Sequence, residues 1–149
     1  SAEANSKYQA TEFEKYLDED SIEYKEFTAS DSNDIGSVVQ SAIEYADVIY
    51  IPTDNTAASC TETIRNVVEP AKVPVVVGEE GICKGCGVAT LSISYYDLGY
   101  KTGEMAAEIL SGADVSTMPI QYAPKFTKEY NAELCSILGG EVPEDYVAI

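Results

Sequence analysis

The pattern of this chain predicts an α/β fold: a Rossmann-like, three-layer α/β/α architecture built on a parallel sheet. Two observations carry that expectation. Three short apolar runs, ADVIYIP, VPVVVG and VATLSIS, each end in turn residues, as buried parallel strands do. Between and around them lie segments whose apolar residues recur at helical spacing.

The elements follow in order. Residues from about Ser6 to Asp18 place Tyr8, Phe13, Tyr16 and Leu17 near one face of a helix. In IEYKEFTA, residues Ile22, Tyr24 and Phe27 predict a strand near a sheet edge. SNDIGSVVQSAIEY then carries Ile35, Val38, Val39, Ala42 and Ile43 at helical spacing behind a Ser/Asn/Asp start. ADVIYIP stops at Pro52, and a helix is expected from about Thr56 to Val68. VVV, after Pro74, ends at Gly78, and VATLSIS supplies the third buried strand.

SYYDLGYKTGEMAAEILSG is the clearest helix. Ser94 and Asp97 have capping-box spacing, Met105, Ile109 and Leu110 are apolar anchors, and Gly112 closes it. Gly99 and Gly103 lie four apart, a spacing that permits close packing on a sheet. Residues 119–149 read as an irregular hinge or tail, with Pro119, Pro124 and Pro143 around one short helix from about Lys128 to Leu138. The first element is a helix preceded only by SAEANS, whereas a doubly wound sheet normally opens with a strand. Ser1 therefore reads as the C-terminal end of a missing strand, and the vacated sheet position as a place for association between copies.

Composition narrows the function. The chain has 149 residues, 45% hydrophobic and 23% charged, an ordinary profile for one globular domain. Nine Lys+Arg against 26 Asp+Glu give a net charge of −17, which disfavours nucleic acid and anionic membrane surfaces as partners. There is no histidine, so the usual general base and the commonest metal ligand are missing. No apolar run approaches the ~20 residues of a membrane span. No signal peptide is visible, and a start at Ser1 rather than Met reads as processed or trimmed. Four cysteines are too few for a disulfide framework in a domain of this size.

Ligands of open α/β sheets sit at the carboxyl ends of the strands. The segments expected there are Ser1-Ala2-Glu3-Ala4-Asn5-Ser6, Thr53-Asp54-Asn55-Thr56, Gly78-Glu79-Glu80-Gly81 and Ser94-Tyr95-Tyr96-Asp97. Helix starts suit a carboxylate, Glu3, Asp54, Glu79 and Glu80 suit an ammonium group, and Tyr95 and Tyr96 offer ring faces. A small zwitterion such as an amino acid fits this set better than a phosphate. Helix capping alone would account for any single one of these Ser, Thr, Asn and Asp residues.

Other chemistry is weakly marked. Cys83 and Cys86 form CKGC, but it is placed among glycines in a loop before a strand, where redox CxxC pairs do not sit. Zinc would need two more ligands, and only the isolated Cys60 and Cys135 remain. No nucleophile elbow, P-loop or GxGxxG is present, so no catalytic residue, metal or cofactor is expected.

YIPTDNTAAS, VPVVVGEEG and GVATLSISYYDLGYKTGEMAAEIL, in that order, resemble the substrate-binding proteins of ABC importers, in the branch of tryptophan/tyrosine or general amino-acid binders. EVPED near the end is similar to that family's closing segment. The resemblance implies a two-lobed protein of the type I periplasmic-binding fold, with ligand clamped between the lobes. Residues 1–149 would be the C-terminal lobe, without its first strand and without the N-terminal lobe. It further implies export, commonly as a lipid-anchored extracellular or periplasmic protein, and delivery of ligand to a membrane permease.

The implied ligand-binding residues are Ser1, Glu3, Asn5, Ser6, Thr53, Asp54, Asn55, Thr56, Glu79, Glu80, Ser94 and Tyr95. Two departures stand out: the family often has Asp where Ser94 stands, and CKGC is unusual for it. Two other readings share features with this one. An effector-sensing domain of a transcription regulator has the same fold, and a thiol redox domain would use Cys83 and Cys86.

Overall fold

The computed structural model describes residues 3–149. Helix α1 (Ala4–Glu19) opens it, followed by α2 (Ile35–Ile43), β1 (Ile49–Ile51), α3 (Asn55–Ala58) and α4 (Thr61–Ala71). Then come β2 (Val75–Val77), α5 (Glu80–Cys86), β3 (Ala89–Ile93) and α6 (Tyr95–Leu110). β4 (Phe126–Tyr130), α7 (Ala132–Leu138) and β5 (Val147–Ala148) complete the chain. The sheet order is β1-β2-β3-β4-β5. β1, β2 and β3 are parallel; β4 runs antiparallel to β3 and parallel to β5.

Strand periodicity explains the layers. Val75 and Val77 are buried while Val76 between them is only half-buried, so one face of the strand carries the core. On that face Val39, Ile64, Val68, Ile82, Cys83 and Cys86 form one buried cluster, against which Ile49 and Ile51 pack. Tyr50 alternates with those two isoleucines and points to the opposite face, where its ring lies 4.2 Å from the ring of Phe13 on α1. Helices therefore cover both faces, as the sequence predicts.

Five expectations are corrected. Residues 22–28 form no strand, because no neighbouring strand among the described residues offers them a ladder. They are held instead by side chains: Tyr45 donates to Glu23 (3.0 Å), and Lys25 lies over the rings of Phe27 and Tyr45. β1 is accordingly the edge of the sheet. Ile49 N–H and the Ile51 carbonyl bond toward β2, so the main chain of Tyr50 faces outward with no strand beside it among the described residues.

The helix expected over Thr56–Val68 is two helices. Ser59 folds its hydroxyl back onto the Thr56 carbonyl (2.8 Å), Cys60 leaves helical backbone angles, and α4 begins afresh. CKGC lies inside α5 rather than in a loop. Its Gly85 serves packing, since a Cβ there would come within 2.3 Å of Thr61 Cβ on α4.

The tail after Met118 is irregular only in part: the helix expected from about Lys128 begins at Ala132, residues Phe126–Tyr130 form β4 instead, and the sheet is mixed rather than all parallel. β4 pairs with β3 along its whole length, Ile93 opposite Phe126 through Ala89 opposite Tyr130. Asn131 caps α7 at Leu134 N–H and donates to the carbonyls of Cys83 and Lys84 at 3.1 Å, tying the tail to α5. Arg65 of α4 reaches Glu133 at 2.7 Å, and Gly139, with φ +73°, ends α7. The fifth correction concerns Gly99 and Gly103: a Cβ at either would meet nothing within 4 Å, so α6 packs on no sheet here.

Gly85→Ala is expected to destabilise the fold by about 1–3 kcal/mol through overpacking of α4 on α5. Gly99→Ala, in open space on a helix, is expected to be neutral or stabilising by up to about 1 kcal/mol. Urea denaturation of the two variants beside the parent measures both.

Candidate functional site

The carboxyl ends of β1, β2 and β3 meet the start of α1 at one edge of the sheet. Thr53 is the hub of that edge. Its N–H donates to Gln9 Oε1 at 2.7 Å, its carbonyl accepts from Asn5 Nδ2 at 2.8 Å and Ser6 Oγ at 2.9 Å, and its hydroxyl donates to the Gly78 carbonyl at 3.1 Å. Glycine is required at 78, because a Cβ there would lie 2.6 Å from Thr53 N.

Asp54 is 3% exposed. Its carboxylate caps α3 at Ala57 N–H (2.8 Å) and accepts the Ser6 hydroxyl at 2.7 Å. The carboxylate of Glu3 takes Asn55 N–H at 3.1 Å, Asn55 Nδ2 at 2.9 Å and Thr56 N–H at 3.3 Å. The start of α3 is thus filled by two of the protein's own carboxylates rather than left open for an anion.

α5 repeats this arrangement. Glu79 accepts from Gly81 N–H at 2.9 Å and from Ile82 N–H, while Glu80 pairs with Lys84 and donates its N–H to Ser92 Oγ at 3.2 Å. Ser94 caps α6 at Asp97 N–H (3.1 Å). The first N–H groups of α6, at Tyr95 and Tyr96, make no bond within the described residues. Tyr95 and Tyr96 are 54% and 79% exposed.

Glu3, Asn5, Ser6, Thr53, Asp54, Asn55 and Thr56 therefore come together as one network. The Glu79 and Glu80 side chains turn onto their own helix, and Ser94 and Tyr95 stand at the end of β3. Ser1 lies outside the described residues. The residues overlooked by sequence reasoning are Gln9, through its paired bonds to Thr53, and Ser30, Asp31, Ser32 and Ser59. The last four line an open polar recess of about 390 Å³ with Asn55 and Thr56. A signal for this recess was available: SDS directly follows the segment that reads as a strand, so it belonged among the loops at the strand ends.

Asp31 Oδ1 accepts Asn33 N–H at 2.7 Å, which fixes the carboxylate at the rim of the recess. The edge as a whole is acidic and suits a cationic group. Among the described residues no cluster of three or more His, Cys, Asp or Glu has metal-site geometry, and no helix is long and apolar enough to cross a membrane.

The CKGC pair is chemically quiet. Cys83 and Cys86 are buried, and desolvation pushes both thiols up to about 12. A redox-active pair needs the opposite, a thiolate near neutral pH. Their sulfurs face the carbonyls of Gly87 and Ile82.

With this geometry in place, comparison with known proteins is decisive. Residues 1–146 match the model of the ABC transporter substrate binding protein family. The chain belongs to that family. A tyrosine-binding protein of Clostridioides difficile (strain R20291) is 34% identical over 119 residues, which is 80% of this chain and 34% of that protein. A Streptococcus pneumonia ABC domain solved with L-Trp superposes with a TM-score of 0.87 at 30% identity, over 97% of this chain and 49% of that one. A ligand-free, open substrate-binding protein with adhesive properties, from Clostridium difficile, gives 0.77 at 32% identity, over 100% of this chain and 51% of that one. This family member thus spans about half the length of the solved relatives and about a third of the curated one. The match favours the importer family over a transcription regulator or a thiol redox domain.

Three outcomes test this reading of the residues. Asp54→Ala strips the cap of α3, leaving Ala57 N–H without its acceptor and Ser6 Oγ with the Thr53 carbonyl alone, and is expected to cost about 2–4 kcal/mol in chemical denaturation. Cys83 and Cys86 should resist a thiol reagent at pH 8 until denaturant is added. Because their folded pKa values lie above the unfolded value of 9.0, folding stability should fall as pH rises from 9 toward about 12, as a pH series of melting curves would record.

Proposed function

We propose that this chain is the C-terminal lobe of a solute-binding protein that captures an aromatic amino acid, tyrosine or tryptophan, in an interlobe cleft. The observation that carries the proposal is a pair of relatives at 30% identity or more, one described as tyrosine-binding and one solved with L-Trp. The strand-end edge forms one wall of the cleft. Its carboxylates favour the ligand's ammonium group, the unclaimed N–H groups at the start of α6 suit its carboxylate, and Tyr95 and Tyr96 offer surfaces for its ring.

Glu3, Asp54 and Glu79 act mainly by holding the loops in place, since their oxygens already serve helix N–H groups. Direct contact falls to Asn55, Thr56, Ser94, Tyr95 and the recess around Asp31. Binding without chemistry fits a site that offers no nucleophile–base pair, and neither cofactor nor metal enters the reading. Closure of a second lobe over this wall completes the ligand's contacts. The assembled protein works outside the cytoplasm, in the periplasm or lipid-anchored at the cell surface, and hands its ligand to an ABC permease. The outward main chain at Tyr50 is where a second copy would pair.

Calorimetric titration of the full-length gene product with the twenty amino acids and several sugars tests the proposal. L-Tyr or L-Trp alone should bind, and at hundredfold excess over Kd should stabilise the fold by about 2.7 kcal/mol. A sugar response with silence from every amino acid would overturn the assignment. Ser94→Asp keeps the cap on Asp97 N–H and adds a carboxylate at the wall, so it should tighten amino-acid binding about tenfold.

A further inference from the structure

We propose that Glu129 and Thr90 form a proton-binding site between β3 and β4 that acts as a switch. With its proton, Glu129 donates to Thr90 Oγ1 and leaves Lys84 to Glu80. Without it, Glu129 draws Lys84 away from Glu80, beside the candidate ligand wall. Two stranded atoms carry the inference. Among the described residues, Thr90 Oγ1 and Glu129 Oε2 are buried side-chain oxygens without a hydrogen-bond partner. The register makes their residues direct partners across the two strands.

Direct partners on antiparallel strands point to one face, with Cβ atoms about 4.5–5.5 Å apart. That face is the one α5 covers, since Ser92, two residues along from Thr90, accepts the Glu80 N–H. Thr90 is 2% exposed, and a hydroxyl that deeply buried is rarely left unpaired. A rotation of the Glu129 side chain brings its carboxyl to Thr90 Oγ1, and one bond then satisfies both orphans.

The bond could run in either direction, because an ionised Glu129 would accept from the Thr90 hydroxyl. The surroundings favour the neutral acid. From α5, Glu80, Cys83 and Lys84 face this point. Cys83 stays a thiol, and Lys84 already pairs with Glu80, so two carboxylates share one cation. β5 sets only Val147 opposite Glu129, and Asp145 is taken by Lys128, which alternates to the other face of β4. Burial pushes the Glu129 carboxyl above its unfolded value of 4.5, Glu80 adds to the rise and Lys84 opposes both. A carboxyl raised in this way stabilises the fold below pH 4.5 and loses that contribution as pH climbs through the folded value. The switch stands whether or not the neighbouring edge binds an amino acid.

Carboxyl 13C NMR of the full-length gene product, glutamate-labelled and free of ligand, tests the proposal, with Glu129→Gln assigning the signal. Glu129 should titrate with a midpoint above 4.5. Thr90→Val removes the hydroxyl and keeps the shape, so it should lower that midpoint, while Thr90→Ser should preserve it. Burial alone predicts no fall in Thr90→Val, and a hydroxyl that donates to an ionised Glu129 predicts a rise. The Glu80 amide 15N shift should show an inflection at the Glu129 midpoint that vanishes in Glu129→Gln. Melting curves give a reading that needs no Thr90 variant: the parent should lose melting temperature relative to Glu129→Gln as pH rises from about 4 to about 7. A midpoint at or below 4.5, a Thr90→Val midpoint that stays or rises, or a parent that tracks Glu129→Gln across the pH series would each overturn the proposal.

Discussion

A carboxylate with 3% of its surface in water survives only where donors converge on it, and Asp54 meets that condition at the end of β1. Ser6 brings α1 to it, and Ala57 N–H brings α3. Thr53, next in line, fastens the same junction to Gln9 on one side and to the Gly78 carbonyl on the other. The order of the strand ends along this edge therefore depends on one buried charge and its neighbours. The core beneath, rich in Val and Ile, sets the spacing of the strands but would tolerate many relative placements of these polar loops.

Such a junction limits what the edge can offer a ligand. Most helix N–H groups that suit an incoming anion are already satisfied, by Glu3 and Asp54 at α3 and by Glu79 at α5. An edge built this way is preorganised: its loops are held by their own hydrogen bonds, and the entropy of ordering them is spent during folding. Under the proposed function, recognition would fall to side-chain ends at the rim and to the α6 start.

Much of the fold was legible because it is local. The three buried strands announce themselves as short β-branched runs, and Ser94, Asp54 and Gly112 mark helix ends by residue type. What escaped depends on partners distant in sequence. FTKEY reads as tail running into a helix at Lys128 until β3 lies beside it, and IEYKEFT reads as a strand although no strand flanks it among the described residues. Gly85 looked like a loop residue because its reason, the close passage of Thr61, is invisible along the chain. The polar loops at the strand ends were found by position. Their division into capping residues and residues free for ligand was not, because Ser, Asp and Glu have the same appearance in both roles.

The junction of Ile93 with Phe126 has a further consequence. Because both ends of the intervening stretch are pinned in the ladder, the sheet is indifferent to how much chain lies between them. Doubling such a loop adds only about 0.6 kcal/mol of closure entropy. This is a point at which the family can lengthen, shorten or exchange a whole module by insertion and deletion while the register of every strand stays as it is.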